Sequence, residues 1–305
     1  LKAAHTTEAL PDPRANPVVS LIVCTRNRAQ KLATCLARIA LIEAPFAWEL
    51  IVVDNNSTDD TREVVQRFIA TTAVQARYLF AAEPGNGAGR NAGIAVSSGS
   101  ILVFTDDDCY VEPDYLVEVM RVFSDPLIGF MSGRIMVFDP SDYPITINQS
   151  EHAIHVSQRG AVYCGLVQGA NLAFRRQALV EAGLFDPNFG AGARYAGEDW
   201  ELAIRVCMNG WAGGYFPGPV VQHHHGRKAE HVKQLQRFYQ LGEGALYAKG
   251  LADARLRRNV AGLWIKSMAR DLFRYFDLRH LVYVLIGMAS YAATRLQGKL
   301  IRQPS

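Results

Sequence analysis

The sequence predicts an α/β fold with a mainly parallel sheet, because short runs of branched apolar residues alternate with amphipathic helical stripes up to Thr105, and these runs end on polar or acidic residues. The first run, Val18 to Cys24, reads as a strand, and Thr25-Arg26-Asn27-Arg28 follows it as a loop. From Gln30, Leu32, Cys35, Leu36, Ile39 and Ala40 recur at helical spacing, with Asn27 placed to cap that helix. Glu49 to Val53 is a second strand ending at Asp54, Asn55 to Asp60 carries turn chemistry, and Val64, Val65, Phe68 and Ile69 form the next helical stripe. Arg77 to Ala81 is read as a third strand and Asn91 to Ser97 as a short helix. Ile101 to Thr105 is a fourth strand, running into Asp106-Asp107-Asp108. In open sheets of this kind ligands sit beyond the carboxyl ends of the strands, so Thr25, Asp54 and Asp106 are expected on one edge.

The chain of 305 residues is long enough for one substantial core and an appendage. Its 49% hydrophobic and 20% charged content is that of a folded globular protein, and a net charge of only +3 argues against a nucleic-acid binder. Five scattered cysteines without C-x-x-C spacing suit small buried thiols and a reducing compartment. Residues 1–16 are polar and Pro-containing, lack an apolar leader, and are expected to form a loose tail; a main domain over 17–228 and a helical, basic C-terminal region over 229–305 complete the division. In that last region Arg255, Arg258, Lys266 and Arg270 interleave with Leu263, Trp264 and Leu272, a basic amphipathic pattern. The uncharged stretch from Leu281 to Thr294 is shorter than the roughly 17 to 25 residues a spanning helix needs, so an interfacial or core helix is expected.

Three adjacent carboxylates repel one another, and Asp106, Asp107 and Asp108 at a strand terminus point to a shared hard cation, Mg2+ or Mn2+; a solvated acidic turn is the rival reading. Asp54 can accept a hydrogen bond from a nucleobase N–H, or cap a turn. Between Gly85 and Gly93 the glycines, Gly87 among them, allow close backbone approach to a ligand, and Arg90 can meet a phosphate. Glu198 and Asp199 precede a helical stripe, where acids can serve the helix dipole; Asp199 can instead act as a general base toward a hydroxyl. His223-His224-His225 after an apolar strand offers a metal or phosphate ligand.

Taken in order, these segments resemble the family 2 glycosyltransferases, inverting enzymes with the GT-A fold, over approximately Pro17 to Arg227. Val19 through Arg28 is similar to the family's opening strand and nucleotide loop, Val53 through Asp59 to its second loop, and Phe104-Thr105-Asp106-Asp107-Asp108 to its D-x-D region. The resemblance implies a nucleotide-sugar donor (UDP-, GDP- or dTDP-linked) contacted by Thr25, Arg26, Asn27, Arg28, Asp54, Asn56, Gly87, Arg90, Asp106 and Asp107. It also implies Mn2+ or Mg2+ on Asp108, Asp106 and His223. Gly169, Asn171, Glu198 and Trp200 fall where the family lines its sugar and acceptor pocket, and Asp199 falls on the base of its E-D motif. Arg26 replaces an aromatic residue common in the first loop, which leaves the nucleobase open. The absence of a Q-x-x-R-W motif favours addition of one sugar at a time to a glycan or lipid-linked acceptor. A cytoplasmic enzyme, peripheral on the inner membrane face, follows from that acceptor. A nucleotidyltransferase and a catalytically silent sugar-nucleotide-binding scaffold are the alternatives. The first would want glycine in the loop after the first strand, and the second would need no base.

Overall fold

The computed structural model describes residues 17–275 and 278–301; the tail expected at 1–16 lies outside them. Strand β1 (Val19–Thr25), helix α1 (Ala29–Ile39), β2 (Trp48–Asp54), α2 (Thr61–Thr71), β3 (Gln75–Phe80), α3 (Asn86–Val96) and β4 (Ile101–Asp106) follow the expected alternation. Their strands lie in the order β3-β2-β1-β4, all parallel. Register sets Thr25 beside Asp54 and Cys24 beside Asp106, so the polar strand ends share one edge. Alternate residues enter separate cores on the two faces: Ile22, Ile51, Val53 and Phe104 on one, Leu21, Val23, Leu50 and Val52 on the other.

Two local expectations change. Asn27 does not cap α1: it adopts φ 52 and its Oδ1 accepts from the Thr58 amide, while Asp59 accepts from the Ala29 amide at the helix start. Helix α3 begins at Asn86, so Gly87, Gly89 and Gly93 lie inside it and not in a turn. The low helix propensity of Gly87 and Gly89 hides the first part of the helix, whose second half is read from Asn91. What the glycines permit is close packing on the sheet, since a Cβ on Gly93 would stand 2.7 Å from Ile22 Cγ2.

Beyond β4 come β5 (Cys109–Val111), α4 (Tyr115–Val122), β6 (Ile128–Val137), β7 (Ile154–Val156), β8 (Asn171–Arg175), α5 (Arg176–Ala182), α6 (Glu198–Met208) and β9 (Ala212–His223). They extend the sheet as β4-β8-β6-β9-β5, with β7 beside β9. Strand β8 runs antiparallel to β4 and β6, β6 runs parallel to β9, and β5 and β7 run antiparallel to β9. The sheet is therefore mixed, as the GT-A, Rossmann-like resemblance implies, and the mainly parallel alternation read from the residues holds through β4. Long irregular connections after Pro113 can return a strand in either direction, whereas a helical crossover enforces a parallel one.

Helices α7 (Ala229–Ala252) and α8 (Arg257–Arg270), a π-helical turn at Asp271–Tyr275 and α9 (Leu278–Ile301) close the chain. Glu243 on α7 gathers the Tyr247 and Ser267 hydroxyls and the His280 ring, tying the last helices together. Among the described residues no helix is long and apolar enough to cross a membrane, and all five cysteines are free.

Candidate active site

A cavity of about 600 Å³ opens at the carboxyl edge of β1 and β4. The strand ends supply Thr25, Arg26, Arg28, Asp106, Asp107 and Asp108 to its wall, α3 supplies Asn86 and Arg90, and α6 supplies Glu198, Asp199 and Trp200. Leu235, Phe238 and Tyr239 of α7 form an apolar side.

The three adjacent aspartates do three different things. Asp106 is half-buried, and its Oδ1 lies 3.4 Å from Arg90 Nη2. Asp107 is buried and accepts from Thr25 Oγ1 at 2.7 Å and Arg28 Nη1 at 2.9 Å; burial pushes its carboxyl up to about 6, and neighbouring Asp108 adds to the rise. Both of its oxygens are thus committed to the first loop. Asp108 is equally buried, which by itself opposes ionisation. His223 Nε2 at 3.3 Å, Arg28 Nη1 at 2.7 Å and Lys31 Nζ at 4.0 Å outweigh that and hold it well below the usual carboxylate range.

His223 reaches Asp108 because β5 and β9 pair Cys109 with His223, and the His224 amide donates to the Asp108 carbonyl. At the end of β9 and just beyond it the three histidines separate. His224 meets the Tyr110 hydroxyl, His225 Nδ1 accepts from the Arg227 amide, and His223 alone joins the aspartates. Asp106, Asp108, Cys109 and His223 each bring one ligand-capable atom within 4.8 Å of the others. The carboxylates and imidazole fit a hard to borderline divalent ion. The Cys109 sulfur, buried and with its thiol raised well above the ordinary value, is a soft donor that suits such an ion less.

Asp199 opens the first turn of α6, and Gly197 before it takes φ 95, in the left-handed region. Its Oδ2 accepts from the Gly169 amide and its Oδ1 from the Trp200 amide, each at 2.7 Å. One flank faces the cavity, yet the surrounding protein dominates: burial, then the charge of Glu198, push its carboxyl up to about 7. Arg90, only 2% exposed, spans the two acidic groups. It donates to Glu198 Oε1 at 3.1 Å and to the Gly169 carbonyl at 3.1 Å, besides touching Asp106. A Cβ on Gly169 would lie 2.6 Å from Arg90 Nη2, so that approach requires glycine. Arg90, expected as a phosphate contact, stands on the cavity wall with its guanidinium held by these partners and facing the Phe104 and Phe185 rings.

Of the other expected site residues, Thr25, Arg26, Arg28, Gly169, Glu198 and Trp200 line the cavity. Trp200 does so with its indole N–H given to the Val162 carbonyl at 2.6 Å. Asn27, Asp54, Asn56, Gly87 and Asn171 are off the wall. Asp54 accepts from the Ser57 amide and the Tyr78 hydroxyl, which is turn capping, and Asn56 is exposed with φ 64. Asn171 bridges Tyr115 to the Arg134 and Pro219 carbonyls inside the sheet. Sequence reasoning missed Lys31, Tyr239 and Glu243. Tyr239 carried no signal, because an aromatic position on a helix reads equally as core, and Glu243 none, because a lone acid on a helix reads equally as a solvated face.

The sequence model described as "Glycosyl transferase family 2" matches residues 20–180, and that of "Glycosyl transferase family group 2" matches 101–297. The chain belongs to glycosyl transferase family 2. The enzyme is 26% identical over 251 residues to the glycosyltransferase AglE of Haloferax volcanii, covering 82% of this chain and 80% of that one. It is 26% identical over 232 residues to an N-acetylglucosaminyltransferase of Rhizobium leguminosarum, covering 70% of this chain but only 53% of the relative. In fold it is similar to a mannosyltransferase from Pyrobaculum calidifontis, solved with GDP-Man and Mn2+ (TM-score 0.66, 23% identity, 95% of this chain and 82% of that one). It is also similar to Staphylococcus aureus TarS 1–349 solved with UDP-GlcNAc (TM-score 0.63, 15% identity, 90% and 80%). The fold of this glycosyltransferase is accordingly GT-A.

Proposed function

We propose that the enzyme moves one sugar from a nucleoside diphosphate donor to a hydroxyl of a glycan or lipid-linked acceptor, with inversion, and that Asp199 is the base. The observation that carries this is a carboxyl pushed up to about 7 in the same cavity as the Asp106–Asp108–His223 cluster. A group near neutrality can exist as the anion and still hold the proton it takes. Asp199 removes the acceptor proton, the new bond forms from that oxygen to the anomeric carbon, and the bond from that carbon to the diphosphate oxygen breaks. Asp106, Asp108 and His223 would hold Mn2+ or Mg2+, which when bound neutralises charge on a departing diphosphate.

Thr25, Arg26 and Arg28 face the donor end, with Arg26 offering its guanidinium plane to a base, while Asp54, Asn56 and Asn27 shape the loops behind them. The GDP-Man and UDP-GlcNAc in the two fold relatives support a nucleotide sugar and leave its identity open. A lipid-linked acceptor would hold the enzyme peripherally at the inner membrane face.

The deciding experiment is turnover and binding of a panel of UDP-, GDP- and dTDP-sugars with Mn2+, Mg2+ or EDTA, on the wild type and on Asp199→Asn. One donor consumed only with metal, and bound but not transferred by the variant, is the expected result. A donor transferred equally by both proteins removes Asp199 from this role.

A further inference from the structure

Helix α9 is turned outward. Leu278, Val282, Leu285, Ile286 and Leu296 are 62, 51, 45, 48 and 64% exposed among the described residues. At about 100° per residue they fall within an arc of about 100°, and no charged residue shares it. The opposite face packs on the body with Val284 and Met288, but also with His280, Gly287, Ser290 and Thr294. Association of α9 with α7 uses small residues and polar contacts: a Cβ on Gly244 would fall on the Val284 carbonyl oxygen, and one on Gly287 on that of Leu241. Ser290 Oγ lies 3.0 Å from the Tyr195 hydroxyl. Small residues and interhelical hydrogen bonds facing inward, with branched apolar residues facing outward, is the arrangement a helix adopts when its outer neighbour is hydrocarbon. In water the helix would gain by the reverse.

The charges nearby give the sign of that neighbour. Arg279 and Arg295 are exposed on α9 beyond the edges of the apolar arc, Arg258 and Lys266 are exposed on α8 beside Ile265, 62% exposed, and Phe273 of the π-helical turn is 79% exposed. We infer that α9, assisted by the outward side chains of α8 and the π-helical turn, lies in the headgroup region of an anionic bilayer with Leu278, Val282, Leu285 and Ile286 immersed. This deepens the membrane reading above by naming the surface, and it does not depend on which residue is the base. No helix needs to cross: the apolar arc binds the acyl boundary and the cations bind anionic headgroups.

The test is flotation of the full chain with phosphatidylcholine vesicles, with and without phosphatidylglycerol, for the wild type and for Val282→Asp combined with Ile286→Asp. Both positions are about half exposed, and the thermal transition and donor turnover of the double variant report that it is folded. The wild type is expected to float, more strongly with phosphatidylglycerol, and the double variant to lose on the order of tenfold or more in partitioning at unchanged donor turnover. A wild type that stays with the soluble fraction on both vesicles overturns the inference, as does a double variant that floats equally well. So does a stable dimer that the substitutions dissociate without any flotation, since a second copy of this chain would then be what covers the face.

Discussion

The two ends of the cavity hold carboxylates in opposite states. At the strand end, Asp108 is surrounded by Arg28, Lys31 and His223 and stays an anion however deeply it is buried. At the helix end, Asp199 has two backbone amides and the more remote Arg90 against burial and the charge of Glu198, and burial prevails. At Asp108 the contacts with His223, Arg28 and Lys31 together outweigh burial and leave an anion suited to holding a metal ion, whereas the single Arg28 contact on neighbouring Asp107 does not, and burial raises that carboxyl to about 6. At Asp199 the charge of Arg90 and two backbone amides do not offset burial and Glu198, which leaves a group that takes and gives a proton near neutrality.

The contrast breaks most visibly at Asp199. Asp199→Asn preserves the shape and removes the proton acceptor, so transfer is expected to fall by about 10² to 10⁴ while donor affinity is kept. Single-turnover transfer beside equilibrium donor binding separates the two. In the wild type, log kcat/KM should climb as pH rises toward about 7 and level off above it, because only the ionised form accepts the proton. A profile that is flat through neutrality would put the base elsewhere.

Arg90 joins the two ends, and Arg90→Met should leave Glu198 and Asp106 without their buried partner. A loss of about 3 to 5 kcal/mol in unfolding free energy is expected, measured by urea titration. A loss below about 1 kcal/mol would mean that water replaces the guanidinium and that the ends are independent. Asp108→Ala sharpens the other side: Mn2+ binding followed by calorimetry should weaken at least about tenfold, with Asp199 chemistry untouched in any residual turnover. Unchanged Mn2+ affinity would assign the metal to other groups.

Much of this contrast was legible beforehand, and the reasons are local. The runs ending at Thr25, Asp54 and Asp106 announced their edge because strand periodicity and turn chemistry are written residue by residue. Asp108 stood out as one of three adjacent carboxylates at a strand end, His223 as one of three adjacent histidines after a strand, and Asp199 through its likeness to the family's E-D motif. The bond from Arg90 to Glu198 was not legible, since 108 residues separate the two and only the fold brings them together. The first part of α3 was hidden by Gly87 and Gly89, and the packing use of Gly93 appears only against Ile22 and Val53. Asn171 was placed in the pocket on its segment's likeness to the family, and the sheet uses its amide for Tyr115, Arg134 and Pro219 instead.

Away from the cavity, the smallest effect tests the same rule with the charges reversed. His280 lies 2.9 Å from Glu243 and 2.6 Å from Asp271, and the hydrogen bond to Glu243, outweighing burial, raises its pKa from 6.5 to about 9. The folded state therefore holds this proton more tightly than the unfolded chain does. Its stabilisation is complete below about pH 6.5, erodes as pH rises, and is gone once the folded-state value near 9 is passed. Glu243, lowered in the folded state by the same contact against the effect of burial, loses its contribution instead as pH falls below the ordinary carboxylate range. The melting temperature of the wild type should accordingly fall between about pH 6.5 and 9 more steeply than that of His280→Gln, which keeps a donor but carries no charge to lose. Parallel slopes in the two proteins would show that the α7–α9 junction is held by its helix packing alone, and that the cation matters only at the strand end, where Asp108 keeps it.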